Sequence, residues 1–268
     1  MTVDTVDTTE TSAVATSPAV VRLERVGKTF SNGTVALAGL DLEVRRGEFL
    51  SLLGPSGCGK STALRIIAGL GQPSSGSVRW SGAGAPDIGF VFQEPTLMPW
   101  ATVFSNVWLP LRLKGRSRGE SRDAVMGALE LVGLANFADH YPRELSGGMK
   151  MRVSIARALV TGAKLMLMDE PFAALDEITR FKLNNDILRL REQLGWTVVF
   201  VTHSVYESVY LSSRIVVMAA RPGRVVAEYA IDVPPLRSEV FRSTDLYNRV
   251  CREVSASLHQ AMGASDHL

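Results

Sequence analysis

The run Gly54-Pro55-Ser56-Gly57-Cys58-Gly59-Lys60-Ser61 follows the pattern G-x-x-x-x-G-K-S/T. An apolar stretch, Phe49 to Leu53, leads into it, and a helical pattern, Lys60 to Ala68, leads out. Strand before and helix after is the context that phosphate binding requires of such a loop. The glycines let backbone N–H groups turn inward around a phosphate. The start of the helix adds the positive end of its dipole. Lys60 would reach the β- and γ-phosphates of a nucleotide, and the Ser61 hydroxyl would bind Mg²⁺. The nucleotide-binding set drawn from this loop is Gly54, Pro55, Ser56, Gly57, Cys58, Gly59, Lys60, Ser61 and Thr62. Cys58 reads as a small loop residue, since the sequence offers it no base partner.

A second cluster ends another apolar run. Leu165-Met166-Leu167-Met168 is followed by Asp169 and Glu170. In a parallel sheet, ligands sit at the carboxyl ends of the strands. Asp169 would therefore meet the Mg²⁺ beside Ser61. Glu170, one residue on, points differently and suits a general base that polarises an attacking water.

The elements that position these groups alternate between strand and helix patterns. Val21 to Phe30 alternates apolar and polar residues as a half-buried strand does, as do Leu40, Leu42 and Val44. Phe49 to Leu53, Ile88 to Phe92, Leu165 to Met168, Thr197 to Val201 and Ile215 to Met218 read as buried strands, with Arg224 to Tyr229 as an edge. Thr102 to Leu113, Ser121 to Val132 and Gly147 to Val160 read as helices, and Leu183, Ile187, Leu190 and Leu194 share one face of another. Gly71 to Ser77 is punctuated as a loop. The expected fold is α/β: a phosphate-loop core with an antiparallel β subdomain and a helical insert at about 95–160. The expected organisation is a disordered tail over 1–19, a domain over 20–230, and a helical tail over 231–268.

Composition sets the outer bounds. With 46% hydrophobic and 21% charged residues, a chain disordered throughout is excluded. The 29 basic and 27 acidic residues leave a net charge of +2, too balanced for nucleic acid as a bulk electrostatic partner. Two distant cysteines, Cys58 and Cys251, form neither a disulfide framework nor a Cys-rich zinc site, and fit a reducing compartment. No apolar run approaches the ~20 residues that cross a bilayer. Met1 to Glu10 has no basic region and no apolar stretch, so a secretory leader is not expected.

Leu145-Ser146-Gly147-Gly148-Met149, followed by Arg152 and Ala156-Arg157-Ala158-Leu159, completes a resemblance. From about Val21 to Glu228 the chain resembles an ATP-binding cassette (ABC) subunit. The resemblance makes the phosphate loop and the Asp-Glu strand end its Walker A and B motifs. It implies a Q-loop at Gln93, also a metal ligand; a D-loop at Ala174-Leu175-Asp176; and a switch histidine at His203. It implies an adenine stack at Phe30. Ser146, Gly147 and Gly148 open a helix and so form a second anion-binding terminus. In the family the two half-sites belong to opposite subunits of a head-to-tail homodimer. Lys60, Gln93, Glu170 and His203 form the implied catalytic set, and the cofactors are ATP and Mg²⁺. Two positions depart from the common pattern: Lys150 stands where most members have Gln, and Ser204 where Asp is usual. Neither position carries a principal catalytic group in the family.

Glu94-Pro95-Thr96-Leu97-Met98-Pro99-Trp100, Pro171-Phe172-Ala173-Ala174 and Ala220-Arg221-Pro222-Gly223-Arg224 resemble the nitrate/sulfonate/taurine branch of bacterial importers. That implies integral membrane permease subunits as partners, an extracytoplasmic solute-binding protein acting indirectly, and a peripheral place on the cytoplasmic face of the membrane. Nucleic acid is not among the expected partners. The competing classes are DNA-repair or chromosome-organising cassettes, whose heads carry a long coiled coil, and ribosome-associated cassettes, which usually pair two cassettes in one chain. The short insert and single phosphate loop speak against both. An exporter half would bring its own membrane helices.

Overall fold

The computed structural model describes residues 17–82, 84, 86–220, 222–233 and 237–263. The expected tail falls outside them up to residue 16, and its last residue, Ala19, already opens a strand. Two sheets form the body. The smaller is antiparallel, with β2 (Val35–Arg45), β1 (Ala19–Thr29) and β4 (Ser75–Trp80) side by side in that order. The alternation read in β1 and β2 is the buried face: Val21, Leu23, Val26, Leu40, Leu42 and Val44 all lie inside.

Strand β4 corrects the loop expected over Gly71 to Ser77. Ser75 to Trp80 pairs with β1, setting Val21 opposite Trp80 and Glu24 opposite Ser77. Ser-Gly-Ser has little strand propensity, so the pattern hides the element. Gly76 is nonetheless required there. Its φ is +77, and a Cβ would sit 2.3 Å from the Arg25 carbonyl oxygen.

The larger sheet runs β5 (Ile88–Val91), β6 (Leu165–Asp169), β7 (Thr197–Thr202), β3 (Phe49–Leu53), β8 (Arg214–Ala219), β9 (Arg224–Ala230). All pairs are parallel except β8 with β9. Strands β3, β6 and β7 are buried on both faces, hence their unbroken apolar runs. Their side chains still alternate between two cores. Leu50, Leu52, Leu165, Leu167, Val199 and Val201 join the antiparallel sheet and helix α1 (Lys60–Ile67). Phe49, Leu53, Met166, Met168, Val198 and Phe200 face the remaining helices.

The helical insert comprises α2 (Val103–Leu113), α3 (Arg122–Leu131) and α4 (Gly147–Leu159), with two 3₁₀ turns between the last two. Phe104, Val107, Leu111, Val125, Leu129, Met151 and Ile155 share one core with the sheet. Beyond it lie α5 (Glu177–Leu194) and α6 (Val205–Leu211), then a 3₁₀ turn over Glu239–Ser243 and α7 (Asp245–Gly263). Among the described residues no helix is long and apolar enough to cross a membrane.

Register decides where the chemistry falls. Leu53 pairs with Thr202, and Asp169 pairs with Val201. The residues leaving β3, β6 and β7 therefore emerge side by side: Gly54, Glu170 and His203.

Candidate functional site

The loop between β3 and α1 turns on glycines in the left-handed region, Gly57 at φ +78 and Gly59 at φ +89. A Cβ on Gly59 would meet the Ala36 carbonyl at 2.7 Å and Leu37 Cδ2 at 2.6 Å, so the loop closes against β2 only with glycine there. Gly54 is similarly hemmed, with Met218 O 2.5 Å and Cys58 Sγ 2.7 Å from such a Cβ. Helix α1 then opens at Lys60, and its first N–H groups have no carbonyl a turn earlier to accept them.

Lys60 is 4% exposed. Its Nζ donates to the Gly54 carbonyl at 2.8 Å and the Pro55 carbonyl at 2.9 Å, folding it back along its own loop. Glu170 Oε1 lies 3.8 Å away. Cys58 is fully buried, and burial pushes its thiol pKa up, so it is a packing residue and not a nucleophile. Thr62 is half-buried on the first turn of α1.

The Ser61 hydroxyl donates to Asp169 Oδ1 at 2.6 Å. Burial pushes the Asp169 pKa up, against the Ser61 hydrogen bond and the nearby cations, which lower it. A buried carboxylate raised mainly by desolvation favours a cation at its open oxygen. The hydroxyl–carboxylate pair supplies the hard oxygen donors that Mg²⁺ takes together with phosphate oxygens. Among the described residues no group of three or more His, Cys, Asp or Glu gathers to hold a metal. A Mg²⁺ shared with a triphosphate needs none.

Glu170 sits at φ +45, an unusual value for a non-glycine residue. Its N–H donates to the Val201 carbonyl at 3.0 Å, continuing the ladder past β6. This twist carries its side chain away from Asp169 and toward His203, whose Nδ1 lies 3.0 Å from Glu170 Oε2. Loop glycines, Lys60, Ser61, Asp169, Glu170 and His203 are thus brought together.

Three expected elements lie apart from that group. Gln93 is exposed two residues beyond β5, whose Val91 pairs with Met168, so it leaves the sheet beside the end of β6. Phe30, 45% exposed, follows β1 with Lys28 Nζ 5.7 Å over its ring. Ser146 caps α4, accepting from the Met149 N–H at 3.3 Å. Helix α4 packs on α2, α3, α5 and β5, whereas α1 packs on β2, β6 and β7. The helix starts at Lys60 and Gly147 of one chain therefore rest on different parts of the fold.

The ABC transporter family matches residues 37–173, a span that contains the phosphate loop and the Asp-Glu strand end. The chain belongs to that family. It is an ATP-binding cassette ATPase, with the α/β cassette fold. An aliphatic sulfonates import ATP-binding protein of Pseudomonas syringae pv. tomato is 44% identical over 242 residues, 90% of this chain and 98% of its own length. A nitrate import ATP-binding protein of Synechocystis sp. is 43% identical over 220 residues, 80% and 82% of the two chains. A solved cassette, described as the dimeric structure of a post-hydrolysis state bound to ADP and Pi, superposes with a TM-score of 0.70 at 37% identity. That match covers 79% of this chain and 98% of the other.

Around this group of residues lie side chains whose contacts motif spacing does not show. Thr202 Oγ1 donates to Glu207 Oε2 at 2.7 Å and accepts from the Ser204 N–H at 3.0 Å. Glu207 is 7% exposed, and burial pushes its pKa up. These two bonds tie both neighbours of His203 to α6. Arg157 of α4 donates to the carbonyls of Pro95 at 2.8 Å and Thr96 at 2.9 Å, bracing the chain just past Gln93. Ser204, the departure from Asp, caps α6 by accepting from the Glu207 N–H at 3.3 Å.

Proposed function

We propose that this ATPase powers an importer of a small solute of the nitrate, sulfonate or taurine kind, docked at the cytoplasmic face of a membrane on integral permease subunits. Resemblance to import ATP-binding proteins over nearly the whole chain carries the reading. A solute-binding protein outside would deliver the solute, and residues 20–230 form the catalytic domain with 231–268 as its tail.

The site geometry and the family resemblance together support the following roles. The loop Gly54–Thr62 cradles the phosphates, and Lys60, released from its loop carbonyls, neutralises the β- and γ-oxygens. Ser61, Asp169 and Gln93 would hold Mg²⁺, which when bound would supply charge neutralisation at the phosphates. Glu170 accepts a proton from the attacking water, and His203 orients that carboxylate and the γ-phosphate. Phe30 stacks on adenine. Ser146, Gly147 and Gly148 complete the site of a second copy, because one chain rests its two half-sites on different parts of the fold. Closure of that dimer on ATP and its reopening after hydrolysis drive the permease.

ATP-dependent uptake of labelled nitrate and an alkanesulfonate, in cells with the wild-type chain or Glu170→Gln, tests the reading. Uptake of one such anion lost with Glu170→Gln is the expected result. ATPase stimulation by nucleic acid, with uptake of all such solutes unaffected, would replace it with the nucleic-acid alternative.

A further inference from the structure

Helix α6 has seven residues and starts two residues after His203. A helix this short has little stability of its own, so packing decides where it sits. The C-terminal segment touches it at both ends. At the start, Tyr247 Oη donates to the Tyr206 carbonyl at 3.0 Å. At the end, the Arg237 guanidinium donates to the carbonyls of Val209 at 2.9 Å, of Tyr210, and of Ser212 at 2.7 Å. Those last-turn carbonyls lack intrahelical partners, and a cation there is favoured by the helix dipole. Between the two ends, Phe241 packs against the rings of Tyr210 at 6.4 Å and Tyr247 at 5.3 Å.

Tyr247 is 5% exposed, and burial pushes its pKa up, so the hydroxyl remains a donor. From α6 the connection to the chemistry is short. Glu207 of α6 takes the Thr202 hydroxyl at 2.7 Å, and that hydroxyl oxygen accepts the Ser204 N–H at 3.0 Å. These two residues flank His203, which meets Glu170 at 3.0 Å. A shift of α6 along its axis would be carried straight to the imidazole.

We propose that the segment from Arg237 to Gly263 is a clamp on α6 and that Tyr247 is a positioning residue for His203. This rests on the reading of His203 as the group that orients Glu170 and the γ-phosphate. The tail is then part of the catalytic apparatus, acting through α6 and touching no substrate itself.

The test is Tyr247→Phe in the full-length chain, alone and combined with His203→Ala, read by steady-state and single-turnover ATP hydrolysis. The substitution keeps the ring and its contact with Phe241, and Tyr206 keeps its place in the helix. One neutral hydrogen bond sets the scale, so kcat should fall roughly two- to tenfold. KM for ATP and the melting temperature should stay near wild type. In the His203→Ala background Tyr247→Phe should cause no further loss, because residues acting as one unit are non-additive. Three results overturn the proposal, each recognisably. Unchanged kcat in Tyr247→Phe, with His203→Ala impaired, removes the clamp and leaves the switch reading standing. An equal fold-loss in both backgrounds shows that the tail acts on stability or elsewhere. Wild-type turnover in His203→Ala removes the switch reading itself, and the clamp with it.

Discussion

His203 Nδ1 stands 3.0 Å from Glu170 Oε2, while Lys60 Nζ stands 3.8 Å from the other oxygen of the same carboxylate. One acid is thus held between a group that would sense the γ-phosphate and one that would bind it. Glu170→Gln keeps the shape and removes the base. Turnover should fall about 10²–10⁴-fold, the usual worth of a positioned base, with ATP affinity retained. Lys60→Ala should instead lose ATP affinity. Fluorescent-nucleotide titration beside phosphate release separates the two, and near-normal hydrolysis by Glu170→Gln would remove its role.

Asp169 gives the chain assayed without nucleotide a pH signature. Burial raises its pKa in the folded chain, so the folded state holds the proton more tightly than the unfolded one. Its contribution to stability is complete below the ordinary carboxylate value, about 4, and is lost as pH rises through the raised folded value. At neutral pH the ionised group therefore opposes folding of the nucleotide-free chain. Asp169→Asn should raise the melting temperature there, by an amount that shrinks on acidification. The same variant should lose most of the extra stabilisation that MgATP confers on the wild type. A lower melting temperature at neutral pH in the variant would contradict this account.

Much of this arrangement is legible in residue order because it depends on local chemistry. The phosphate loop needs glycines at fixed offsets, and the buried strands need unbroken apolar runs. Those two signals mark Lys60, Ser61, Asp169 and Glu170 in the sequence. What spacing leaves out is long-range. Nothing around Ser75-Gly76-Ser77 announces a strand, since its pairing is made by the backbone of β1, about 50 residues away. Tyr247 and Tyr206 are 41 residues apart, and Arg157 and Thr96 are 61 apart. Such bonds join a side chain to a main-chain carbonyl, which every residue possesses, so the accepting position leaves no mark on the sequence.

The composite site can be tested by mixing chains. Gly148 is a poor choice of variant, because a Cβ there would lie 2.5 Å from Thr179 Cγ2 on α5 and disturb the chain itself. Ser146 is exposed, so Ser146→Arg obstructs the partner's nucleotide at a cap cost of about 1 kcal/mol. Each variant alone should be inactive. Mixed with Lys60→Ala, it forms heterodimers with one doubly damaged and one intact site, and partial ATPase activity should return. No recovery from heterodimers verified by mass spectrometry would argue against sites shared in trans.

Arg157 fixes the segment that follows Gln93. Its two nitrogens hold the carbonyls of Thr96 at 2.9 Å and Pro95 at 2.8 Å, and Thr96 is kept at φ +47. A charged hydrogen bond is worth about 1.5–3 kcal/mol, so Arg157→Ala should lower the melting temperature by roughly 3–8 °C. Lysine cannot span both carbonyls and should recover only part of this. Limited proteolysis should cut the 93–100 segment faster in both variants, and unchanged cleavage would show that the loop holds itself.

Trp100 ends that same segment at 77% exposure, while Leu97 packs inward against the core of the insert. The loop presents the indole firmly. Fully buried Asn106 accepts the Met98 N–H at 2.7 Å and donates to the Met98 carbonyl at 3.2 Å and the Ala101 carbonyl at 3.1 Å. A large aromatic held outward at the end of a braced loop is the kind of anchor a partner's groove takes up. In the isolated subunit it supports little, so Trp100→Ala should move the melting temperature by no more than about 1–2 °C and leave ATP binding intact. On the permease its removal should cost what an interface anchor typically costs, about 2 kcal/mol or roughly thirtyfold in affinity. Asn106→Ala provides the contrast: it strips the brace, so stability and assembly should fall together. The deciding measurement is affinity for detergent-solubilised permease beside a thermal melt of each free subunit. If Trp100→Ala melts as early as Asn106→Ala, or binds the permease as tightly as the wild type, the indole is not the anchor and coupling runs through another surface.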